Sequence, residues 1–392
     1  MCHGNGYKEM TQMKEITYDE LRSLNKDSYQ LIDIRDEGLV AYGMIPGAIN
    51  IFVEDLEGSR ELLEIPKEKK LIFYCEIGRM SREIDDTLDD LAGRDCYSLA
   101  EGYVGYVRYG MKSETDRVEK REKAEESIRK KFHKQLFSPF AKACKIYQLI
   151  EDGDHIAVCI SGGKDSMLMA KLFQEIKRHR HKEFELTFLV MDPGYNKENR
   201  ALIESNAAAL GIPITIFEST IFDAVDTIEK SPCYLCARMR RGYLYAKAKE
   251  LGCNKIALGH HYDDVIETIL MGMLHGAQIQ TMMPKLHSTN FEGMQLIRPL
   301  YLVRESDICA WRDYNDLHFL QCACHFTDTC TTCHEDGTTS SKRLETKKLI
   351  AELKKTNPFV ESNIFRSMEN VNLDTVIEYK KDGVRHHFLD NY

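Results

Sequence analysis

Long apolar runs are missing from this chain of 392 residues. No stretch approaches the roughly 20 apolar residues that a membrane-spanning helix requires. The first residues, Met1-Cys2-His3-Gly4-Asn5-Gly6, lack a charged start followed by an apolar core. They read as no secretory signal, so a cytoplasmic protein is expected. Internal repeats and low-complexity tracts are also lacking, which excludes a solenoid or a disordered scaffold. An overall excess of positive charge is absent as well, the formal net charge being −9. That total conceals an asymmetry. Residues 1–116 carry 14 basic and 24 acidic side chains, leaving 39 and 38 for the rest. Within the rest, residues 117–147 hold 10 basic and 4 acidic side chains, a local +6. Such a run is a solvated helix face or a surface for phosphates, and it keeps nucleic acid open as a partner.

A hydrophobic content of 43% and a charged content of 29% fit an ordinary globular protein. The length exceeds what one core usually organises, so two domains are expected. Thirteen cysteines are present. Under reducing conditions they are expected as thiols rather than disulfides. Cys2, Cys75, Cys96, Cys144, Cys159, Cys253 and Cys309 are scattered, whereas Cys233/Cys236 and Cys322/Cys324/Cys330/Cys333 cluster. Clustered thiols in such a setting point to metal or redox work.

Alternating strand and helix signals appear twice. Over residues 14–110, Gln30–Ile34 and Lys70–Tyr74 are apolar runs of strand length, and Ser81–Leu91 has helical spacing. Residues 111–135 are dense in charge at three- and four-residue spacing and read as a helical linker. From His155 onward, strands are expected at Ile156–Ile160, Leu186–Met191, Ile214–Phe217 and Lys255–Leu258. Helices are expected at Met167–Arg178, Arg200–Leu210 and Met239–Leu251. This order predicts an α/β fold, a doubly wound parallel sheet over 136–375 behind a smaller α/β domain, with a tail at 376–392.

The strand ending at Ile160 runs into Ser161-Gly162-Gly163-Lys164-Asp165-Ser166 and then a helix. Two glycines let backbone N–H groups turn toward a ligand, the helix start adds donors, and Lys164 adds charge. The result is an anion cradle. It is not a Walker A loop, because Val158 stands where the first glycine belongs and Asp165 follows the lysine. The segment resembles the PP-loop of ATP pyrophosphatases, which split ATP between its α- and β-phosphates to adenylate an oxygen. Further on stand Pro232-Cys-Tyr-Leu-Cys236, Arg238-Met-Arg-Arg241, Ala257-Leu-Gly-His-His-Tyr-Asp-Asp264 and Ile297-Arg-Pro-Leu300. Their order is similar to that in the TtcA family of tRNA 2-thiocytidine synthetases.

That resemblance implies ATP held by Ser161–Ser166, Asp192, Gly259 and His260. Asp263 and Asp264 would orient the substrate or hold Mg²⁺, since the charge of ATP favours a hard cation. It also implies a [4Fe-4S] cluster on Cys233, Cys236 and one later cysteine. Cys322 is chosen as that third ligand, with Cys324, Cys330 and Cys333 open and a separate zinc site as the alternative. Arg238, Arg240 and Arg241 would contact tRNA.

In the first domain, Leu31-Ile-Asp-Ile-Arg35, Gly43–Asn50, Cys75-Glu-Ile-Gly-Arg-Met-Ser81 and Glu101–Tyr106 resemble the rhodanese signature. Met44 replaces the usual His there, and Tyr106 the usual Trp. A phosphatase loop would need arginine six residues after its cysteine, and Ser81 stands at that position. Cys75 is therefore read as a persulfide carrier, held where backbone N–H groups converge on its sulfur. The joint expectation is ATP-dependent thiolation of a tRNA cytidine, with Cys75 relaying sulfur. A cysteine desulfurase or another persulfide donor would be a partner, and a homodimer is allowed. A tRNA uridine or a small molecule as acceptor is the nearest alternative. An iron–sulfur sensor without ATP turnover is the alternative of another class.

Overall fold

The computed structural model describes residues 13–40, 43–84, 91, 93–109, 114–219, 232–320 and 342–392; the side chains of 114–116, 232–238 and 391 lie outside that description. In the first unit the strands are β1 (Lys14–Ile16), β2 (Tyr29–Asp33), β3 (Ile49–Asn50), β4 (Lys70–Tyr74) and β5 (Cys96–Leu99). Its helices are α1 (Tyr18–Ser23), α2 (Glu37–Val40), α3 (Arg60–Glu64), α4 (Arg79–Arg82) and α5 (Gly102–Tyr109). The strands form one parallel sheet in the order β1-β5-β4-β2-β3.

Both faces of this sheet are covered, and the period of two along each strand assigns the side chains. On β4, Ile72 and Tyr74 enter one apolar cluster, whereas Leu71 and Phe73 enter another. The predicted run Lys70–Tyr74 coincides with β4. The helical spacing over Ser81–Leu91 yields only α4, the stretch beyond Ile84 lying mostly outside the described residues.

The charged linker forms α6 (Glu114–Arg129), followed by a π-helical turn at His133–Phe137 and α7 (Ser138–Ile146). Ala124, Ser127 and Ile128 give α6 a narrow buried stripe. Ser127 Oγ receives hydrogen bonds from Trp311 Nε1 (3.1 Å) and Asn315 Nδ2 (3.0 Å). Lys171, almost fully buried, reaches back from the next helix to Glu125 (2.8 Å) and to the carbonyl of Leu210 (2.7 Å).

The second sheet uses β6 (His155–Ile160), β7 (Glu185–Asp192), β8 (Ile214–Glu218), β9 (Lys255–Ala257), β10 (Lys285–His287) and β11 (Gln295–Ile297). Interleaved helices are α8 (Lys164–Arg178), α9 (Lys197–Ala209), α10 (Pro232–Glu250), α11 (Tyr262–Gly276) and α12 (Glu305–Tyr314). The order is β10-β11-β9-β6-β7-β8, parallel except for the antiparallel edge pair β10–β11. Two further helices, α13 (Lys342–Thr356) and α14 (Val360–Ser367), pack beside α11, and β12 (Glu378–Lys381) and β13 (Val384–His387) close the chain as a hairpin.

The chain moves from β6 outward to β8, then crosses back to place β9 on the other side of β6. That reversal is the crevice where ligands of open α/β sheets collect. The two units are not separate beads. Ile72 and Tyr103 of the first share a buried cluster with Phe140, Val158, Trp311 and Phe319 of the second.

Candidate active site

The PP-loop occupies the crevice. Gly162 has φ of +88° and packs against α9, where an added Cβ would meet Ile203 Cγ1 at 2.7 Å. The sequence there tolerates only glycine, in conformation and in space. Gly163 is the N-cap of α8 and supplies no side-chain cap. Ser161 and Ser166 fold inward instead, Ser161 N–H donating to Ser166 Oγ at 3.2 Å. The N-cap of α8 therefore makes no side-chain cap among the described residues, and the positive end of the helix dipole faces the loop, which is the arrangement that receives phosphate.

Lys164 is buried, its Nζ 3.2 Å from Asp165 Oδ1 and 3.2 Å from Glu305 Oε1. Burial would raise the Glu305 carboxyl. Lys347 at 2.6 Å, together with Lys164, outweighs that and holds it down to about 2. The loop lysine therefore waits on a carboxylate that an entering phosphate can replace. Burial raises the Asp165 carboxyl, and its Oδ1 accepts no hydrogen bond among the described residues.

The second strand end, after β9, passes directly over this loop. A Cβ on Gly259 would lie 3.3 Å from Ser166 N, a tight contact that would push the two segments apart by a few tenths of an ångström. His260 follows, its ring half-buried. Burial, then the charge of Arg298, push it down to about 4, and its Nδ1 has no partner among the described residues. His261 caps α11 by accepting from Asp264 N–H, while Asp264 accepts from His261 N–H at 3.0 Å.

Asp263 and Asp264, read from sequence as cation or substrate ligands, are both engaged by protein. Asp263 accepts from Arg304 Nη2 (2.9 Å) and from Glu305 N–H (2.7 Å), and Asp264 pairs with Arg343 at 2.7 Å. Glu267, one turn on, lies 3.5 Å from Arg343. Asp192 is also committed: it accepts from the N–H groups of Gly194 and Tyr195 and pairs with Arg200 at 3.1 Å. Of these carboxylates, Asp165 keeps one oxygen, Oδ1, without an aligned hydrogen bond among the described residues, its neighbour being the Lys164 ammonium at 3.2 Å.

Cys233 and Cys236 stand in the first two turns of α10. Their side chains, that of Arg238 and the whole of Cys322, Cys324, Cys330 and Cys333 lie outside the described residues. Arg240 donates to Tyr195 Oη at 3.3 Å, and Arg241 is exposed. Sequence reading missed Arg304, Glu305 and Arg343. They come from two segments, Arg304-Glu305 and Arg343, that no spacing signal joins to the loops they meet.

In the first unit Cys75 directly follows β4 and is buried, with Ser81 Oγ 3.7 Å from its sulfur. Gly78 turns the loop at φ +83°. The start of α5 holds the loop from behind, through Tyr103 N–H to Cys75 O (2.9 Å) and Val104 N–H to Glu76 O (3.0 Å). Arg35 donates to Asp33 Oδ2 (2.7 Å) and to Glu76 Oε2 (2.8 Å), fixing the residue after the cysteine. Cys96, the first residue of β5, is half-buried.

Comparison with known proteins agrees with this geometry. Residues 128–324 match the PP-loop domain family, and residues 17–109 match the rhodanese-like domain family. A tRNA-cytidine(32) 2-sulfurtransferase of Geobacter sulfurreducens is 34% identical over 242 residues, covering 61% of this chain and 90% of that protein. Its namesake in Vibrio vulnificus is 34% identical over 263 residues, covering 66% and 80%. Among solved structures, the U34-tRNA thiolase NcsA from Methanococcus maripaludis, with its [4Fe-4S] cluster, matches at 22% identity and a TM-score of 0.48, over 61% of this chain and 78% of that one. With a PP-loop in the crevice of its second sheet and 34% identity over nine-tenths of such a relative, this chain belongs to the family of the tRNA-cytidine(32) 2-sulfurtransferases.

Proposed function

We propose that the chain uses ATP to replace the C2 oxygen of a tRNA cytidine by sulfur, and that Cys75 carries that sulfur as a persulfide. The observation that supports this most is the crevice itself, where the uncapped start of α8, Lys164 and the close pass at Gly259 meet. ATP phosphates take the place of Glu305 beside Lys164. The cytidine C2 oxygen attacks the α-phosphorus, pyrophosphate leaves, and a poor leaving group becomes a good one. Sulfur then adds at C2 and AMP departs. A Mg²⁺ accompanying ATP would be held by Asp165 and would neutralise charge on the departing pyrophosphate.

Oxidation states decide what the relay needs. A persulfide outer sulfur must gain two electrons to end as the sulfur of a thiocarbonyl. If the Cys75 persulfide attacks C2 directly, a second thiolate must cleave the resulting disulfide, so a dithiol reductant closes the cycle. Cys233, Cys236 and Cys322 would hold a [4Fe-4S] cluster, whose iron without a protein thiolate offers a binding position for hydrosulfide. Arg238, Arg240, Arg241 and the basic stretch 117–147 would contact tRNA phosphates. A cysteine desulfurase is the natural persulfide donor.

Cys75→Ser should cut thiolation at least ten-fold when a cysteine desulfurase with L-cysteine is the donor, leaving ATP–pyrophosphate exchange intact. Undiminished 2-thiocytidine formation in that variant rejects the relay.

A further inference from the structure

The Cys75 loop is fastened to the PP-loop by one continuous run of contacts. Tyr103, whose N–H holds Cys75 O, sends its hydroxyl across the domain boundary to His318 Nδ1 at 2.7 Å. His318 Nε2 lies 3.1 Å from Asp316 Oδ1, and burial lowers the affinity of the ring for a second proton. A neutral ring protonated at Nε2 therefore donates to Asp316 and accepts from Tyr103. The guanidinium of Arg35, already bonded to Glu76, stacks 4.0 Å from the Tyr103 ring centre and also donates to Gly43 O at 2.7 Å.

Gly43 shows how tightly this clasp is built. A Cβ there would fall 2.3 Å from Tyr103 Oη and 3.0 Å from His318 Nδ1, at a φ of +135°. On the other side, the carbonyl of His318 accepts from Asn206 Nδ2 of α9 at 2.9 Å. Two residues later Leu320 lies over the PP-loop. Its Cδ1 is 3.4 Å from the Cβ position of Gly162, and its carbonyl is 3.5 Å from that of Gly163. Ile203, three residues before Asn206 on α9, packs against Gly162 too. The segment His318–Leu320 is thus a wall shared by both loops. An ordinary packing contact between domains would not select the residues that hold the cysteine loop at one end and the PP-loop at the other.

We infer that the Tyr103–His318 clasp seats the Cys75 loop beside the PP-loop crevice, so that sulfur is handed over within one chain rather than between two. This rests on the relay reading above. In the handover a thiol of the PP-loop unit, as thiolate, attacks the outer sulfur of the Cys75 persulfide. The S–S bond breaks, Cys75 leaves as thiolate and takes up the proton the acceptor lost, and the acceptor becomes the persulfide. No net oxidation accompanies this exchange. Tyr103 and His318 are positioning residues: they touch neither sulfur nor nucleotide.

The test mixes two full-length variants, Cys75→Ser and Lys164→Ala, with tRNA, ATP and a cysteine desulfurase supplied with L-cysteine. Each alone should be inactive, and the mixture should stay at that background. Recovery approaching half of the parent rate would show delivery between chains and overturn the inference. If Cys75→Ser alone keeps the parent rate, the relay itself fails, which is a separate outcome. A second variant, Tyr103→Phe, removes only the hydroxyl. It should slow thiolation from the desulfurase five- to ten-fold while matching the parent with inorganic sulfide as donor and in ATP–pyrophosphate exchange. Parent-like thiolation from the desulfurase would leave the clasp without a role and overturn the inference.

Discussion

At the scale of single residues, the site is a set of charges held in waiting. Lys164 is paired with Glu305 and Asp165 until phosphate arrives, so its role can be separated from that of its neighbours. Lys164→Ala should lower ATP–pyrophosphate exchange at least 100-fold with little change in the circular dichroism spectrum. A loss under three-fold would remove the lysine from the phosphate site. Glu267 makes a different prediction. Burial raises its carboxyl, with Asp264 adding to the rise and Arg343 and Lys347 opposing it, to about 7 against an ordinary 4.5. The folded chain binds that proton more tightly than the unfolded chain does. Its stabilising contribution is complete below about pH 4.5 and is lost as pH rises through about 7. Glu267→Gln should therefore match the parent in stability near pH 4.5 and exceed it by about 1–2 kcal/mol at pH 8. Urea denaturation at the two pH values reads the difference, and an equal gain at both would refute the assignment.

At the scale of elements, what the sequence disclosed followed from period and turn chemistry. Lys70–Tyr74 and Ile156–Ile160 are visible because both faces of a parallel sheet are buried, leaving nearly continuous apolar runs. The Ser161–Ser166 loop is visible because its glycines and lysine are adjacent in the chain. Helix starts were less visible: α8 begins at Lys164 and α9 at Lys197, three residues ahead of where apolar spacing places them. Their first turns carry polar residues that face the crevice loops or act as caps, so they add nothing to the apolar period. The Arg304–Asp263 and Arg343–Asp264 pairs were hidden entirely, since tertiary folding alone brings residues 41 and 79 positions apart together.

Helix α6 looked like a free linker, yet Lys171 of α8 anchors it through Glu125. Lys171→Ala should destabilise the protein by about 3 kcal/mol, because Glu125 and the Leu210 carbonyl lose their shared partner. A change below about 0.5 kcal/mol in a chemical denaturation series would mean that α6 is held by its apolar stripe alone.

For the molecule as a whole, two units that the sequence separates at a charged stretch are joined by a common core and by the Tyr103–His318 clasp. The sequence suggested the pairing of activities, a sulfur carrier ahead of an ATP-dependent transferase, but could not reveal that their loops share a wall. That contact is made by single residues 215 positions apart. The central claim is that this chain thiolates C2 of a tRNA cytidine at the expense of ATP. Mass spectrometry of tRNA nucleosides from cells lacking the gene tests it most directly. Loss of 2-thiocytidine with other thiolated nucleosides retained, restored by the parent chain and not by Lys164→Ala, is the expected result. An unchanged 2-thiocytidine level would contradict it.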